Sequence, residues 1–278
     1  MSLEQDFLNE LVDAIKNDRL TLPTLPEVAL KIRDAVSNPD VNSSSLSNVI
    51  SQDVALAARI IKVANSPLMR GAVAVDNLQL AITRMGINFV RNLATGLAME
   101  QMFQATHDSV DKRLRQSWEH SLEVASISHV LASNFTKLKP EQATLAGLVH
   151  EIGILPILTL AEENPEILEK EEVLDKIISR LHGKVGRAIM KAWEFPEELI
   201  DVPLGCTDFT RDGGATADYV DVVTVAKIQS FTEDNNPYPD LDTSTVPAFA
   251  KLGLASQVEV HEVDTLAEEI DNAKQAFA

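Results

Sequence analysis

The sequence has 278 residues, of which 45% are hydrophobic and only 5% aromatic, so a core must consist mainly of aliphatic side chains, which suits packed helices. Its 42 acidic residues outnumber the 24 basic ones and give a formal net charge of −18. This charge argues against nucleic acid and anionic membranes as partners, because binding to phosphates depends on clustered Lys and Arg. The single cysteine, Cys206, excludes an internal disulfide and favours a reducing compartment.

The first hundred residues show the apolar spacing of helices, interrupted by prolines and Asn–Pro pairs. Ser43, Ser44 and Ser45 offer N-caps for one helix, and Asp53 offers an N-cap for the next. Around 105–111 the sequence turns polar, which predicts a boundary between an N-terminal bundle over 1–107 and a C-terminal bundle over 108–278. The predicted helices of the first bundle cover 4–18, 27–36, 46–51, 54–65, 76–85 and 87–103.

The second half continues the helical pattern, and no alternating strand pattern exceeds four residues. The fold class is therefore predicted as all-α, with two packed helical bundles. The predicted helices of the second bundle cover 112–135, 140–150, 153–162, 166–181, 182–193, 196–203, 216–231, 246–252 and 256–273.

Hydropathy predicts a soluble, cytoplasmic protein that does not span a membrane. The first 20 residues are charged throughout and have no apolar signal core. The longest apolar run, 153–161, is interrupted by Pro156 and falls short of the ~20 residues that cross a bilayer.

Two histidines and one carboxylate are the candidate chemical groups. His150 and Glu151 continue an apolar helix stripe, which predicts that the pair points inward, and His120 lies among apolar neighbours on another helix. Buried polar groups need partners. Two histidines and a carboxylate from packed helices could bind a divalent metal that activates water. A structural pair of bonded side chains is the more common arrangement, and spacing alone leaves both interpretations open.

Several motifs together resemble the HDOD family, whose name stands for HD-related output domain. The resemblance covers about residues 20–230, and it implies an all-α bacterial signalling or regulatory module, with an HD-like C-terminal half, that is related to HD-type phosphohydrolases but has no established catalysis. The motifs that carry it are Leu22-Pro-Thr-Leu-Pro, Ile50-Ser-Gln-Asp-Val through Val63-Ala-Asn-Ser, Ala81-Ile-Thr-Arg-Met-Gly, His120, His150-Glu-Ile-Gly, His182-Gly-Lys-Val-Gly and Trp193-Glu-Phe-Pro.

The sequence departs from the metal-binding pattern of the HD hydrolases. That pattern uses a His, a His-Asp pair and a later Asp; here Glu151 replaces the Asp of the pair, and Lys227 stands where the later Asp is expected. A Lys ammonium has three donors and no acceptor, so it cannot ligate a cation and could instead pair with Glu151. Asp221 lies six residues upstream of Lys227, on a different face of the predicted helix, and cannot take its place.

Other positions depart from the cyclic-dinucleotide phosphodiesterase branch of the same superfamily. Cys206 and Thr207 stand where its paired histidines are expected, and Ile154 replaces the Lys that follows its His-Asp-Ile-Gly. His182 matches a position of the HDOD family, and we interpret it as a polar helix-start residue.

We therefore expect a non-catalytic signalling module that needs no cofactor. A partner protein or small ligand would bind in the cleft between the bundles or in a groove of the N-terminal half. His120, His150, Glu151 and Lys227, with His182, would form a polar cluster. The alternative is a divergent metal-dependent phosphohydrolase that binds Fe, Mn or Zn in an incomplete site of His120, His150 and Glu151, with or without His182. Nucleic-acid binding through a basic groove is a third hypothesis, which the net charge disfavours.

Overall fold

The computed structural model describes residues 13, 23–69, 71, 73–231, 236–254 and 264–278, and all regular structure in these segments is helical. This confirms the predicted all-α fold. The helices before residue 107 are α1 (Glu27–Ser37), α2 (Ser43–Ile50), α3 (Val54–Asn65), α4 (Leu78–Met85) and α5 (Ile87–Ala98), followed by a 3-10 turn (Met99–Met102).

The first helix after residue 107 is 28 residues long, and the last one lies at the C-terminus. A 3-10 turn (Thr243–Thr245) precedes the short helix at Pro247–Lys251. They are α6 (Asp108–Phe135), α7 (Pro140–Val149), α8 (Ile154–Glu162), α9 (Pro165–Leu168), α10 (Glu171–Ala192), α11 (Glu197–Ile200), α12 (Val202–Gly205), α13 (Tyr219–Gln229), α14 (Pro247–Lys251) and α15 (Asp264–Phe277).

Most predicted helices are present, and local capping explains several boundaries. Asp53 caps α3 as predicted, because its carboxylate accepts from the Leu56 amide at 3.0 Å. The cap of α2 is Asn42 rather than one of the serines that follow it; Asn42 and Ser45 form a capping box. The predicted helix over 4–18 lies outside the described residues, except for Asp13.

The helix boundary predicted at 181/182 is wrong, and the single helix predicted over 196–203 is the two short helices α11 and α12. The separate helices predicted over 166–181 and 182–193 are the short α9 and a continuous α10 of 22 residues. His182 is therefore not a helix-start residue: it lies in the middle of α10, where its Nδ1 donates to the Ile178 carbonyl at 2.8 Å. The hydrogen bond of the ring to the preceding turn explains why a polar residue is compatible with a helix interior.

The long helix α6 is the centre of the packing. It contacts α7, α13 and α15, while α5 packs on both α1 and α7. The buried aliphatic residues form one continuous cluster that crosses residue 107. The division into units at 107/108 stays a prediction.

The segment Pro140–Glu162 passes a length and composition test for a membrane span, contrary to our expectation that no apolar stretch comes near that length. Its most apolar window is 83% buried inside the fold, and the segment contains the turn between α7 and α8. It is therefore accounted for as core helices.

The Asn65-Ser66 motif has a structural role. Asn65 Nδ2 donates to the Val75 carbonyl at 2.7 Å, and Asn65 Oδ1 accepts from the Val75 amide at 2.9 Å. Arg84 Nη1 donates to the Ala64 carbonyl at 2.9 Å. These bonds tie the end of α3 to the segment before α4 and to α4 itself.

The C-terminal helix caps the bundle. Ile270 and Phe277 are fully buried, and Lys274 Nζ lies 2.6 Å from Glu123 on α6. Arg59 on α3 donates to the Phe277 carbonyl at 2.8 Å. The described part of the helix predicted over 256–273 is α15, which continues to Phe277. It packs against α6.

The end of α10 predicts a stabilising substitution. Glu194 has a left-handed φ of 53°, and the Phe195 amide bonds to the Met190 carbonyl, which is the Schellman pattern that normally places Gly at this position. We expect Glu194→Gly to raise the free energy of unfolding by about 0.5–1 kcal/mol, because the left-handed conformation costs an L-residue about 1–2 kcal/mol and the extra backbone entropy of Gly offsets part of that gain. Urea denaturation would measure it. Glu194→Ala is the control, and equal stability of the two variants would contradict the explanation.

Candidate functional site

Three ligand-type side chains meet between α6 and the turn after α7. His120 Nδ1 lies 3.5 Å from Glu151 Oε1, and His150 Nε2 lies 3.8 Å from the same oxygen. One potential ligand atom from each of the three residues falls within 4.8 Å of the other two. The structure thus places His120, His150 and Glu151 together, as the sequence suggested, and metal binding by these residues stays a prediction.

Local structure explains this convergence. The helix α7 ends at Val149, so His150 and Glu151 lie in the tight turn that leads into α8. Gly153 completes the turn, and a Cβ atom placed on it would lie 1.9 Å from the His182 carbonyl oxygen on α10. The absence of a side chain at Gly153 thus lets α10 approach closely enough to bring His182 toward the cluster.

The buried imidazoles share one hydrogen-bonding arrangement. His150 Nδ1 donates to the Gly147 carbonyl at 2.7 Å, as His182 Nδ1 does to Ile178. The Nε2 atoms of both rings have no hydrogen-bond partner among the described residues. Burial, with the charges of His120 and Lys227 adding to it, lowers the pKa of His150 to about 3, and burial and Lys227 also lower the pKa of His182. Both rings are therefore neutral near pH 7, with a free lone pair at Nε2.

Glu151 is an anion in this site. Burial would raise the pKa of its carboxyl, but the hydrogen bond of His120 and the nearby positive charge, which includes the Lys227 ammonium, hold that pKa well below its usual range. Ser117 Oγ donates to Glu151 Oε2 at 2.8 Å. A carboxylate that is bonded in this way is held in a fixed orientation.

Lys227 on α13 is buried beside the cluster, with 3% of its surface exposed. Burial lowers the pKa of its ammonium, but the charges of Cys206, Glu151 and Tyr238 and a hydrogen bond with the Tyr238 hydroxyl outweigh burial and raise that pKa. Within the described part of the chain, no ion pair within 4.0 Å joins Lys227 to Glu151. The two charges therefore act on each other without the direct contact that the sequence suggested.

Cys206 is a buried thiol near Lys227. Burial raises its pKa to about 11, against the opposing effect of Lys227. It is neutral near pH 7, so Glu151 is the charged group that favours the Lys227 ammonium there. The residue lies directly after α12 and has no exposed surface.

Sequence reasoning missed the polar and aromatic neighbours of the cluster. His120 Nε2 lies 3.0 Å from Ser230 Oγ, which itself donates to the Lys227 carbonyl. The His120 ring stacks on Phe231 with 5.1 Å between centroids. Spacing could have indicated two of the neighbours, because Ser117 lies three residues before His120, and Ser230 three residues after Lys227, on helical stretches.

Asp221 does not belong to the cluster. Its carboxylate lies 3.1 Å from Lys251 Nζ and 3.3 Å from Arg211 Nη1, and it completes a capping box with Asp218. These partners hold it at the beginning of α13. The expectation that Asp221 cannot substitute for a carboxylate at position 227 agrees with this placement.

Relatives of known structure share the architecture. The chain is 33% identical to a protein of Shewanella amazonensis SB2B provisionally named a metal-dependent phosphohydrolase, with a TM-score of 0.89 and coverage of 100% of both chains. A protein of Marinobacter aquaeolei VT8, provisionally named a signal transduction protein, is 22% identical with a TM-score of 0.67, over 99% of this chain and 66% of that one, and shows likeness of fold alone.

A curated relative shares part of the sequence. An uncharacterized protein of Treponema pallidum (strain Nichols) is 29% identical over 194 residues, which are 65% of this chain. The match spans only 36% of that relative's own length.

A family model identifies the module. The HDOD domain model matches residues 22–204, which include the Leu22-Pro-Thr-Leu-Pro segment, the His150-Glu151 turn and the whole of α10. The match covers well over half of the chain, and this chain therefore belongs to the HDOD domain family.

Proposed function

We propose that this chain is a non-catalytic regulatory module in which a buried ammonium replaces the metal ion of an HD-type hydrolase. The observation that carries the proposal is the position of Lys227, which is 3% exposed and lies close enough to act electrostatically on His150, Glu151 and His182. A positive charge at this point compensates the buried carboxylate of Glu151, as a cation would.

The donor set does not fit a complete hydrolytic metal centre. His120, His150 and Glu151 could offer three ligand atoms, but Lys227 offers a repelling ammonium with no lone pair. Cys206 is a protonated thiol and so a poor ligand. The cluster is better explained as a polar core in which Ser117, His120 and Glu151 fix the packing of α6 against the α7–α8 turn.

A module without chemistry of its own would act by binding. The names of the solved relatives, one for signal transduction and one for phosphohydrolysis, are compatible with a regulatory domain that descends from an enzyme. We infer that the partner is a protein or a small ligand rather than nucleic acid or membrane, because the net charge of −18 opposes both of the latter. A cytoplasmic location is part of the same proposal.

The metal content of the purified protein tests the proposal. We expect far less than one equivalent of Fe, Mn or Zn after dialysis, and no hydrolysis of bis(p-nitrophenyl) phosphate, because the Lys227 ammonium opposes a divalent ion. Elemental analysis and a colorimetric assay would measure both. About one equivalent of metal that is lost in His150→Ala but kept in His107→Ala, a variant of an exposed histidine, would overturn the proposal.

One observation favours a metal-dependent phosphohydrolase as the second candidate function. The unpartnered Nε2 atoms of His150 and His182 are free lone pairs in a buried site, each on a ring oriented by a backbone carbonyl, which is the usual arrangement of metal-binding histidines. Phosphodiesterase activity that His150→Ala abolishes would establish this function.

A further inference from the structure

A cavity of about 380 Å³ lies away from the His–Glu cluster, where α1 and α5 meet α7 and the end of α10. This volume is in the range of pockets that bind small molecules, about 300–1,000 Å³. Its walls combine segments that are distant in sequence: Arg33 on α1, Arg91 and Asn92 on α5, and the run from Trp193 to Phe195.

The cavity is positively charged in a strongly negative protein. Its charged lining residues are Arg33, Arg91 and Glu194. Arg33 Nη1 lies 3.5 Å from Glu194, but that carboxylate is 81% exposed and the pair is screened by solvent. Arg91 has no carboxylate within 4.0 Å among the residues that the structure describes, so its guanidinium Nη atoms are available to an anion.

Asn92 is an uncharged polar residue in the wall of the cavity. It is 3% exposed, although it lies in the middle of an apolar helix. Its Oδ1 accepts from Arg91 Nε at 3.0 Å, which fixes the orientation of the amide, and its Nδ2 has no acceptor in the described segments. An unsatisfied buried donor costs about 1–3 kcal/mol, so a ligand that provides an acceptor here would recover that cost.

Aromatic side chains form the apolar wall. Trp193 and Phe195 lie with ring centroids 6.2 Å apart, and both are almost fully buried. Trp193 Nε1 already donates to the Pro23 carbonyl at 3.0 Å, so the indole contributes apolar ring surface and no free N–H group. Such a surface suits a planar ring.

We propose that this cavity binds a small organic anion, with its planar ring against Trp193 and Phe195 and its phosphate or carboxylate oxygens bonded to Arg91 and Asn92. The inference rests on the proposed function, since it names the ligand class of a module that acts by binding. The cavity is lined by Leu145 on α7 and by Trp193, which directly follows α10. The first of these helices leads to the His150 turn, and the second contains His182. Occupancy of the cavity would therefore stabilise the contact of the Trp193–Phe195 segment with α1 and α5.

Two fluorescent probes with related rings test the proposal on the full chain. Anilinonaphthalenesulfonate carries a planar ring system and an anionic group, and N-phenylnaphthylamine has the same rings without the charge. We expect one site per chain that binds the anionic probe at least about tenfold more tightly than the neutral one, since a hydrogen bond to a charged group is worth about 1.5–3 kcal/mol. Similar affinities for the two probes, or no binding of the anionic one, would overturn the proposal.

Variants locate the binding site. Arg91→Gln is expected to weaken the anionic probe about tenfold and to leave the neutral probe unchanged, and Arg33→Gln supplies the same test if Arg91→Gln does not fold. Arg187→Gln is the matched control, because this arginine is similarly exposed on α10 and pairs with Asp201 away from the cavity. Equal losses in Arg187→Gln and Arg91→Gln, or no loss in the cavity variants, would show that the probe binds elsewhere.

Displacement separates the two possible anionic groups. Naphthyl phosphate and naphthoate should each displace the bound anionic probe, and the one that displaces it at the lower concentration carries the preferred anionic group. Naphthol, which has the ring but no anionic group, should not displace the probe. Failure of both anions would refute the assigned ligand class. The outcome is independent of the metal analysis above, so failure here leaves the test of the non-catalytic module intact.

Discussion

Gly153→Ala is expected to destabilise the fold by more than about 3 kcal/mol, because backbone atoms surround the position where the new methyl group would stand. The added Cβ would lie 1.9 Å from the His182 carbonyl oxygen and 2.5 Å from the Gly186 amide nitrogen. A flexible side chain could move away from such a contact, but the backbone of the Gly153 turn and that of α10 can separate only if α10 shifts as a unit. Urea denaturation followed by circular dichroism would measure the loss.

A second glycine provides the control. A Cβ on Gly71 would meet only the Arg84 guanidinium, at 3.6 Å, which is an ordinary van der Waals distance. Gly71→Ala should therefore change the free energy of unfolding by less than about 0.5 kcal/mol. If Gly153→Ala were equally neutral, the close approach of α10 to the His150–Glu151 turn would not be the reason for Gly at this position.

Lys227→Asp is expected to create a divalent metal site. The substitution removes the ammonium that repels a cation and adds a carboxylate near the potential ligand atoms of His120, His150 and Glu151. We expect the affinity for Mn²⁺ or Zn²⁺ to rise by more than about a hundredfold, since changes in the residues that merely orient metal ligands already alter affinity by about 10–100-fold. Isothermal titration calorimetry would measure the affinity, with circular dichroism to establish that the variant is folded.

The matched variant separates charge from ligation. Lys227→Met removes the positive charge and supplies no good ligand, so its metal affinity should lie well below that of Lys227→Asp. If both variants bound metal equally well, the loss of the ammonium's repulsion alone would account for the rise in metal affinity, and the new carboxylate would not be acting as a ligand. If the unaltered protein bound as tightly as Lys227→Asp, the interpretation of Lys227 as a substitute for the ion would be wrong.

The helical class and many helix boundaries follow from the amino-acid sequence alone. These features are local: apolar spacing marks the buried face of a helix, and residues such as Asp53 and Pro140 act within one turn of their own position. The inward placement of His150 and Glu151 followed from the same periodicity. The residues themselves also suggested His120 as a companion of this pair, and the family resemblance pointed to Lys227.

Tertiary structure alone decided which faces meet. Periodicity shows that a helix buries one side, but it does not identify the helix on the other side. His182 lies in the interior of α10 and near the cluster because Gly153 allows two backbones to approach, a relation between positions about 30 residues apart. The cavity of Arg33, Arg91, Asn92 and Trp193 likewise exists only after α1, α5 and α10 have packed, because no local pattern in the sequence joins those residues.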